Sequence, residues 1–426
     1  MKKIFSVLLA AVLAAGALAG CGGAPSSSAA QPAAASAAAQ AEDVVLTVYA
    51  GTFPMKETVD QLTADYKAQT GVTVEWEIPG DEPYTLLKTR FAANDAPDIF
   101  EISSSDFTSW GVRCLDLSGE PWIGHVDAAA LAGGTRDGKI LGLPTADVGN
   151  GIVYNKELFA KAGIEKVPET LSELEETCKT LQAAGIQPFG EAFKEWGFLM
   201  HIFSAPLSYE QDPEAFCAEL NAGTKTLGDL AYIDNFFRLY DLTLDYGKGA
   251  ESVGYSASDQ IVDFAAGKMA MIKQGTWYGD ALWTVNPDLK IGLFAVPLTD
   301  NAADTKLMTS TASYYCIANT TGHEKEAKAF LNWLYENAQK YIVEGLKVAS
   351  PYDNVDFTDL GSLYEDMQTY YDKGKTVSFS GENLPAGFLT DIATPLQSYA
   401  AGMLDQQGAV DALQAAYENR VAATGN

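Results

Sequence analysis

The residues of this chain best suited to chemistry are rings and carboxylates. Trp277 closes the run Met269-Ala-Met-Ile-Lys-Gln-Gly-Thr-Trp277, and Trp110, Trp122, Trp196, Trp283, Phe53, Phe193, Tyr314 and Tyr315 stand outside any obvious core stripe. A sugar ring has one apolar C–H face and a rim of hydroxyls. Aromatic faces suit the first, and Asp, Glu, Asn and Arg suit the second. Taken singly, such a ring belongs to a core more often than to a ligand, so position has to decide. The motifs of covalent and metal catalysis are missing: there is no GxSxG, HExxH, Walker loop or GxGxxG. His323-Glu324 opens HEKEA, which lacks the second histidine of a zinc metalloprotease. His125 and His201 have no ligand-like neighbours and read as structural or solvated. The clusters Asp353 to Asp359 and Glu365-Asp366 lack the spacing and glycine of a calcium loop and read as solvated faces. Adjacent Tyr314 and Tyr315 could supply phenolates to ferric iron, but neighbours in an extended segment point to opposite faces. With 56 acidic residues, a glycosidase pair of carboxylates is not excluded by counting, yet no local sequence signals one.

Composition narrows the partners. Against 56 Asp and Glu stand 28 Lys and Arg, a net charge of −28, which repels a phosphate backbone and argues against nucleic acid. A chain of 426 residues that is 47% hydrophobic has material for two domains or one large one. Three histidines and five cysteines leave little for a metal site, and no cofactor is expected. Cys114, Cys178, Cys217 and Cys316 are distant in sequence; they could pair in an oxidising compartment, but a core of this size needs no staples and buried thiols are favoured.

The first residues read as an address. Lys2 and Lys3 precede an apolar run from Ile4 through Leu18, then Leu18-Ala19-Gly20-Cys21. A charged start, a short apolar stretch and small residues make a secretory signal, too short for a comfortable membrane span. Leu-Ala-Gly-Cys resembles the lipobox of bacterial lipoproteins. That resemblance implies removal of residues 1–20, lipid on Cys21, and attachment to the cell membrane on its outer side through buried methylenes. Residues 21–43 follow as a flexible tether, mostly Ala, Ser and Gln, with Pro25 and Pro32 interrupting any helix.

The rest of the chain must position the candidate residues. Val44 to Tyr49 predicts a buried strand; Val59, Leu62 and Tyr66 recur at helical spacing; Val72, Val74, Trp76 and Ile78 alternate as a strand. A helix with Leu86, Leu87 and Phe91 precedes a strand at Asp98 to Ile102, then Ser103-Ser104-Ser105-Asp106. This β-α-β-α-β order predicts an α/β fold with a mostly parallel sheet and helices on both faces, where ligands sit beyond the carboxyl ends of strands. The turns at Gly51 to Phe53 and Ser103 to Asp106 are thereby singled out. Helices are predicted at 155–162, at 171–184 with Thr170 and Glu173 as a capping box, at 227–244, at 324–344 and through 388–421, with a helix, turn and strand over 261–275.

Four segments in order resemble the extracellular solute-binding proteins of bacterial carbohydrate ABC transporters. They are Tyr84-Thr-Leu-Leu-Lys88 with Ala92-Ala-Asn-Asp-Ala-Pro-Asp98-Ile-Phe; Gly138-Lys-Ile-Leu-Gly-Leu-Pro144 with Tyr154-Asn-Lys-Glu-Leu-Phe-Ala-Lys-Ala-Gly163 and Pro168-Glu-Thr-Leu-Ser-Glu-Leu174; Phe264-Ala-Ala-Gly-Lys-Met through Trp277; and Glu326-Ala-Lys-Ala-Phe-Leu331 with Ser350-Pro351. The resemblance implies a periplasmic-binding-protein-like fold, two α/β lobes with a ligand cleft and hinge crossings. By analogy lobe 1 holds 44–147 and 316–355, and lobe 2 holds 151–312 and 362–420. It implies a monomer that captures a sugar or oligosaccharide by hinge closure, delivers it to membrane permease subunits and breaks no bond in it. Carried over residue by residue, Trp277 falls where the family's Gly-x-Trp motif places a stacking tryptophan. Asp106 and Ser105 follow the Pro-Asp-Ile-Phe strand, where the maltose-binding members carry an Asp-Arg pair that this chain lacks, so maltose is not implied. Asp147 and Asn150 lie at the first crossing; Glu191, Phe193 and Trp196 follow Gln187-Pro188-Phe189-Gly190; Thr52 and Phe53 follow the first strand; Phe388 lies in the C-terminal part.

Overall fold

The computed structural model describes residues 44–50, 56–78, 83–385 and 387–424. Cys21, the signal and tether segments, and the loop with Thr52 and Phe53 lie outside them. Eleven strands occur among the described residues: β1 Val45–Tyr49, β2 Thr73–Glu77, β3 Ile99–Ile102, β4 Thr135–Arg136, β5 Lys139–Ile140, β6 Leu143–Asn155, β7 Gln187–Phe189, β8 Met269–Gly275, β9 Ile291–Phe294, β10 Leu307–Ile317 and β11 Thr376–Ser378. The predicted N-terminal β-α-β-α-β run is present, with helices Lys56–Thr70 and Pro83–Ala92 between its strands.

Nine of the strands form one sheet with the path β2-β1-β3-β10-β6-β8-β7; β11 adds to β10 and β9 to β6, while β4 and β5 make a separate hairpin. The expected mostly parallel sheet is in fact mixed. β1 pairs parallel with β2 and β3, and β7 with β8. β10, however, runs antiparallel to β3 and β6, and β6 antiparallel to β8 and β9. The cause is the two long strands. β6 pairs with β10 from Leu143 and then continues to β8 and β9 through Asn155. β10 pairs with β11 at Leu307 to Thr309 and with β3 at Tyr314 to Ile317. Each therefore serves two neighbourhoods, and between them the β6–β10 register slips at Thr311/Ser313 and Ser313/Tyr314. All but two of the thirteen residues of β6 are buried, as expected of a strand covered on both faces.

Three apolar clusters sandwich this sheet. One packs Leu46, Val48 and Tyr315 under the helices Lys56–Thr70 and Glu324–Glu336 and runs on to Leu293, Leu363 and Met367. A second packs Ile152, Met271 and Phe294 under Leu171–Ala183, Trp196–Ser208 and Ile233–Asp245. A smaller one gathers Phe100, Phe107, Trp110 and Tyr314. Tyr314 and Tyr315 thus face opposite sides: the first packs on Phe107, the second on Trp76. Trp122, also set apart in the sequence, is completely buried.

Several helices end earlier than their periodicity suggests. The 324–344 pattern stops as a helix at Glu336 and resumes through a wider π turn, Gln339–Val343. The 227–244 stretch divides into a short turn, Leu227–Asp229, and the helix Ile233–Asp245. The 388–421 stretch divides into Phe388–Asp391, Ala393–Ala400 and Gln406–Thr424. At the helix Leu171–Ala183 the capping box is present in full: Thr170 accepts from the Glu173 N–H at 3.1 Å, and Glu173 accepts from the Thr170 N–H at 3.1 Å.

Candidate functional site

The strand β8, MAMIKQG, is buried at every position, including Lys273 and Gln274. Polar groups in such a strand need partners. Gln274 donates to Gln260 at 3.1 Å, and Gln260 donates to the Gly190 carbonyl at 2.7 Å. The remaining Gln274 oxygen accepts from the Trp277 indole N–H at 3.3 Å. Trp277, in the single turn Thr276–Tyr278 just past β8, is therefore held by a relay of two buried glutamines. Its ring stacks on His201, with centroids 4.7 Å apart and planes at 30°. Phe379 meets the same imidazole edge-on at 6.1 Å.

Below this ring pair lies an ionisable cluster. Register places Asn150 of β6 opposite Gly275 of β8. Asn150 accepts from the Lys273 ammonium and lies 3.2 Å from His201 Nδ1 through its amide nitrogen. The Lys273 backbone N–H donates to Glu191 Oε1 at 2.8 Å. Glu191 Oε2 is buried without a hydrogen-bond partner among the described residues. Burial pushes the Glu191 carboxyl up to about 7, opposed by that N–H and by the Lys273 charge. Burial likewise pushes the Lys273 ammonium down to about 7, opposed by the Glu191 charge. Burial, then the nearby Lys273 charge, lowers His201 to about 3, so the stacked imidazole is neutral.

A second group forms beyond β3. Asp106, in the turn Ser104–Asp106, accepts from Ser103 Oγ at 2.6 Å and from the Tyr84 hydroxyl. Ser105 belongs to the same turn by its backbone. The turn is tied to the crossing strand, since Ser104 Oγ donates to the Thr311 carbonyl at 3.2 Å, and it approaches the segment Ser380–Asn383 just after Phe379. Asp147 sits where β6 passes β10: it accepts from Thr311 Oγ1 at 3.1 Å and from the Tyr371 hydroxyl, and its N–H donates to the Ala349 carbonyl at 2.9 Å.

The residues singled out in the sequence thus separate. Trp277, Asn150 and Glu191 share one connected arrangement; Asp106 and Asp147 flank it on β3 and the crossing. Trp196 is exposed at the start of the helix Trp196–Ser208. Phe193 and Phe388 correct the expectation of ligand platforms. Phe193 is 1% exposed, its ring tilted on Tyr240 at 4.9 Å, and Phe388 is 0% exposed between Phe203 and Tyr417. Both are core side chains with no face left for a ligand. Trp110 and Trp283 are likewise committed to packing, Trp110 against Phe91 and Phe100, and Trp283 through its N–H to the Leu289 carbonyl.

His201, which reads from the sequence as structural or solvated, stands in this cluster, and Lys273, Gln260 and Gln274 are not among the residues the sequence singles out. A usable signal existed: His201 is the single ionisable residue in the apolar helix WGFLMHIFSAPLS, and Lys273-Gln274 interrupts an apolar strand directly before Gly-Thr-Trp. A recess of about 700 Å³ between the helix Ala128–Gly133 and β11 includes Phe379 in its wall, and an apolar one lies between Trp76 and Tyr341. Neither wall includes Trp277 or Asp106, although the larger one carries hydroxyl-binding side chains of its own, among them Arg136, Glu210, Asp304 and Ser380. No group of three or more His, Cys, Asp or Glu among the described residues could hold a metal ion.

Comparison with known proteins bears on the family and the fold. The family described as bacterial extracellular solute-binding protein matches residues 52–341. A Bacillus subtilis protein named melibiose/raffinose/stachyose-binding protein MelE is 24% identical over 85% of this chain and 86% of its own length. A multiple sugar-binding protein from Streptococcus mutans is 28% identical over 62% of this chain and 65% of its own. Among solved structures, the apo form of RafE from Streptococcus pneumoniae superposes with a TM-score of 0.76 at 22% identity, over 89% of this chain and 99% of that one. RafE in complex with raffinose does so at 0.64, with 23% identity, over 89% and 100%. These neighbours establish the two-lobed α/β architecture with crossing strands. The chain belongs to the bacterial extracellular solute-binding proteins, a family of binding proteins.

Proposed function

We propose that this protein captures a sugar or oligosaccharide outside the cell and passes it unaltered to the permease of an ABC transporter. The observation that carries this reading is the Trp277–His201 ring pair, fixed by buried glutamines at the carboxyl end of β8 beside Asn150 and Glu191. A flat apolar face beside a buried polar cluster with one unpartnered carboxylate oxygen, on Glu191, suits the two surfaces of a pyranose. Trp277 stacks on the C–H face. Asn150 and Glu191, buried like Phe193, hold the ring pair from beneath, and Asp106 with Tyr84 takes hydroxyls from the opposite lobe. Lobe 1 comprises 44–147 and 316–355 and lobe 2 comprises 151–312 and 362–420; the register slip in β6 and β10 between them supports a hinge there. The lipobox-like Leu18-Ala19-Gly20-Cys21 supports a lipid on Cys21, with the following segment as tether. No helix among the described residues is long and apolar enough to cross a membrane, so membrane attachment in this reading rests on that lipid.

A thermal-shift panel of mono- and oligosaccharides tests the reading, because a ligand held by the folded state raises Tm. Melibiose, raffinose and stachyose, named for the MelE relative, head the panel. For any sugar that raises Tm, Trp277→Ala should weaken binding by more than about 1 kcal/mol in calorimetry with the fold intact. Unchanged affinity removes Trp277 from the site, and release of cleavage products from a bound glycan overturns the non-catalytic reading.

A further inference from the structure

Two of the four described cysteines meet in space. Cys316 lies in β10, held opposite Phe100 of β3. Cys114 follows the short turn Gly111–Arg113 and forms an isolated antiparallel bridge with Ala318. The bridge is framed by Leu115 N–H to the Ile317 carbonyl and Asn319 N–H to the Arg113 carbonyl, each at 2.8 Å. Side chains directly opposed across an antiparallel pair share a face, and so does the residue two places along. Cys114, Ala318 and Cys316 therefore project together into the small cluster with Phe100, Phe107 and Trp110. The Cys114 thiol donates to the Trp110 carbonyl at 3.4 Å, and burial, then the neighbouring Cys114 thiol, pushes the Cys316 thiol well above its usual range. Cys178 and Cys217, by contrast, sit on separate helices in the other large cluster.

We propose that Cys114 and Cys316 form a reversible disulfide when the chain meets an oxidising thiol–disulfide couple such as glutathione disulfide. The Cys114 thiolate attacks one sulfur of that disulfide, forming a mixed disulfide and expelling one thiolate. The Cys316 thiol then attacks the Cys114 sulfur, its proton passing to the departing sulfur, and expels the second as a thiol. Two cysteine thiols lose two protons and two electrons, and the oxidant becomes two thiols. The diagonal position separates the Cα atoms by about 7–8 Å, just past the roughly 4.4–6.8 Å of a relaxed bridge. Closing that gap falls to the segment 113–115, which is joined to the end of β10 by a single bridge after a surface turn, whereas Cys316 is paired within the sheet. A bridge drawn shut in this way is more reducible than a relaxed one, hence reversible. Both cysteines lie on the β3 side of the register slip, so the bond ties a surface turn to the crossing strand without spanning the crossing itself.

The test uses the full chain carrying Cys21→Ser, treated with glutathione disulfide in two ways: as the native protein, and during refolding from urea. It is then denatured, alkylated with iodoacetamide and mapped by peptide mass. Expected is a pair of peptides joined through Cys114 and Cys316 and two hydrogens lighter, with Cys178 and Cys217 alkylated. Dithiothreitol without denaturant should release it, and Cys316→Ala should abolish it. Alkylation of all four cysteines after oxidative refolding overturns the proposal, as does linkage of Cys114 or Cys316 to Cys178 or Cys217.

Discussion

At the scale of single residues, ring identity alone did not separate platform from core. Phe193 and Trp277 both follow strand ends in the sequence, yet one is sealed against Tyr240 and the other stacks on a histidine beside polar groups. What distinguishes them is the partner set, which lies 76 residues away for Trp277 and becomes adjacent only through folding. Phe193→Ala should cost about 3–5 kcal/mol of stability in denaturant unfolding, the range for a buried ring replaced by a cavity. A cost below about 1 kcal/mol would return Phe193 to the ligand surface. His201 makes a further test possible through pH. Its folded pKa, about 3, lies below the ordinary value of 6.5, so the unfolded chain binds the extra proton. Stability is full above about 6.5 and is lost as pH falls toward 3, by about 1.4 kcal/mol per unit. Glu191 opposes this: raised to about 7, it binds an extra proton in the folded state between 4.5 and 7, which favours folding as pH falls. The two offset each other in the native chain. Glu191→Gln removes the offset, so the stability difference between Glu191→Gln and Glu191→Gln/His201→Phe should move steadily in favour of the Phe variant below pH 6.5. A difference that stays flat down to pH 4 would mean that His201 is not kept neutral.

At the scale of elements, the short-range signals translated into structure and the long-range ones did not. The capping box at Thr170 was legible because both partners sit within one turn, and Thr170→Ala should lower stability by about 1 kcal/mol, read from the shift in denaturant midpoint. The three N-terminal strands were legible from alternation and apolar runs. The mixed sense of the sheet was not, because strand direction is set by pairing between β6 and β10, more than 150 residues apart, and no local pattern encodes it. The periodicity over 324–344 does not reveal its break: the helix ends at Glu336, and a π turn over Gln339–Val343 keeps Tyr341, Ile342 and Val343 on the core. β6 also hides a constraint that its composition only hints at. A Cβ on Gly151 would collide with the Phe294 carbonyl of the paired strand β9, a backbone atom that cannot swing aside. Gly151→Ala should therefore destabilise by about 1–3 kcal/mol, the usual range for overpacking, although alanine favours most backbones over glycine. An unchanged denaturant midpoint would show that β9 gives way.

At the scale of the whole molecule, the two crossing strands are both the mechanical link and part of the candidate site. Asn150 belongs to the ring-pair cluster, and Asp147, three residues earlier on the same strand, is clasped by Thr311 and Tyr371. Under the proposed function, ligand contacts on one side of the crossing would be coupled to backbone that must twist if the lobes approach. A ligand shifts an open–closed equilibrium only by its difference in affinity for the two forms. Under that same proposal, Asp106 beyond β3 and Trp277 beyond β8 would supply such a difference if one sugar touches both only in the closed form. Saturation with a sugar from the thermal-shift panel should therefore reduce the radius of gyration in solution scattering. Asp106→Ala should keep part of the affinity, through Trp277, while losing most of that compaction. Trp277→Ala tests the other half: it should weaken binding more strongly, yet at saturation still compact the chain if Asp106 and Tyr84 grip the sugar. Equal radii with and without saturating sugar in the native chain would separate capture from closure and leave the ring pair as a site on one lobe alone.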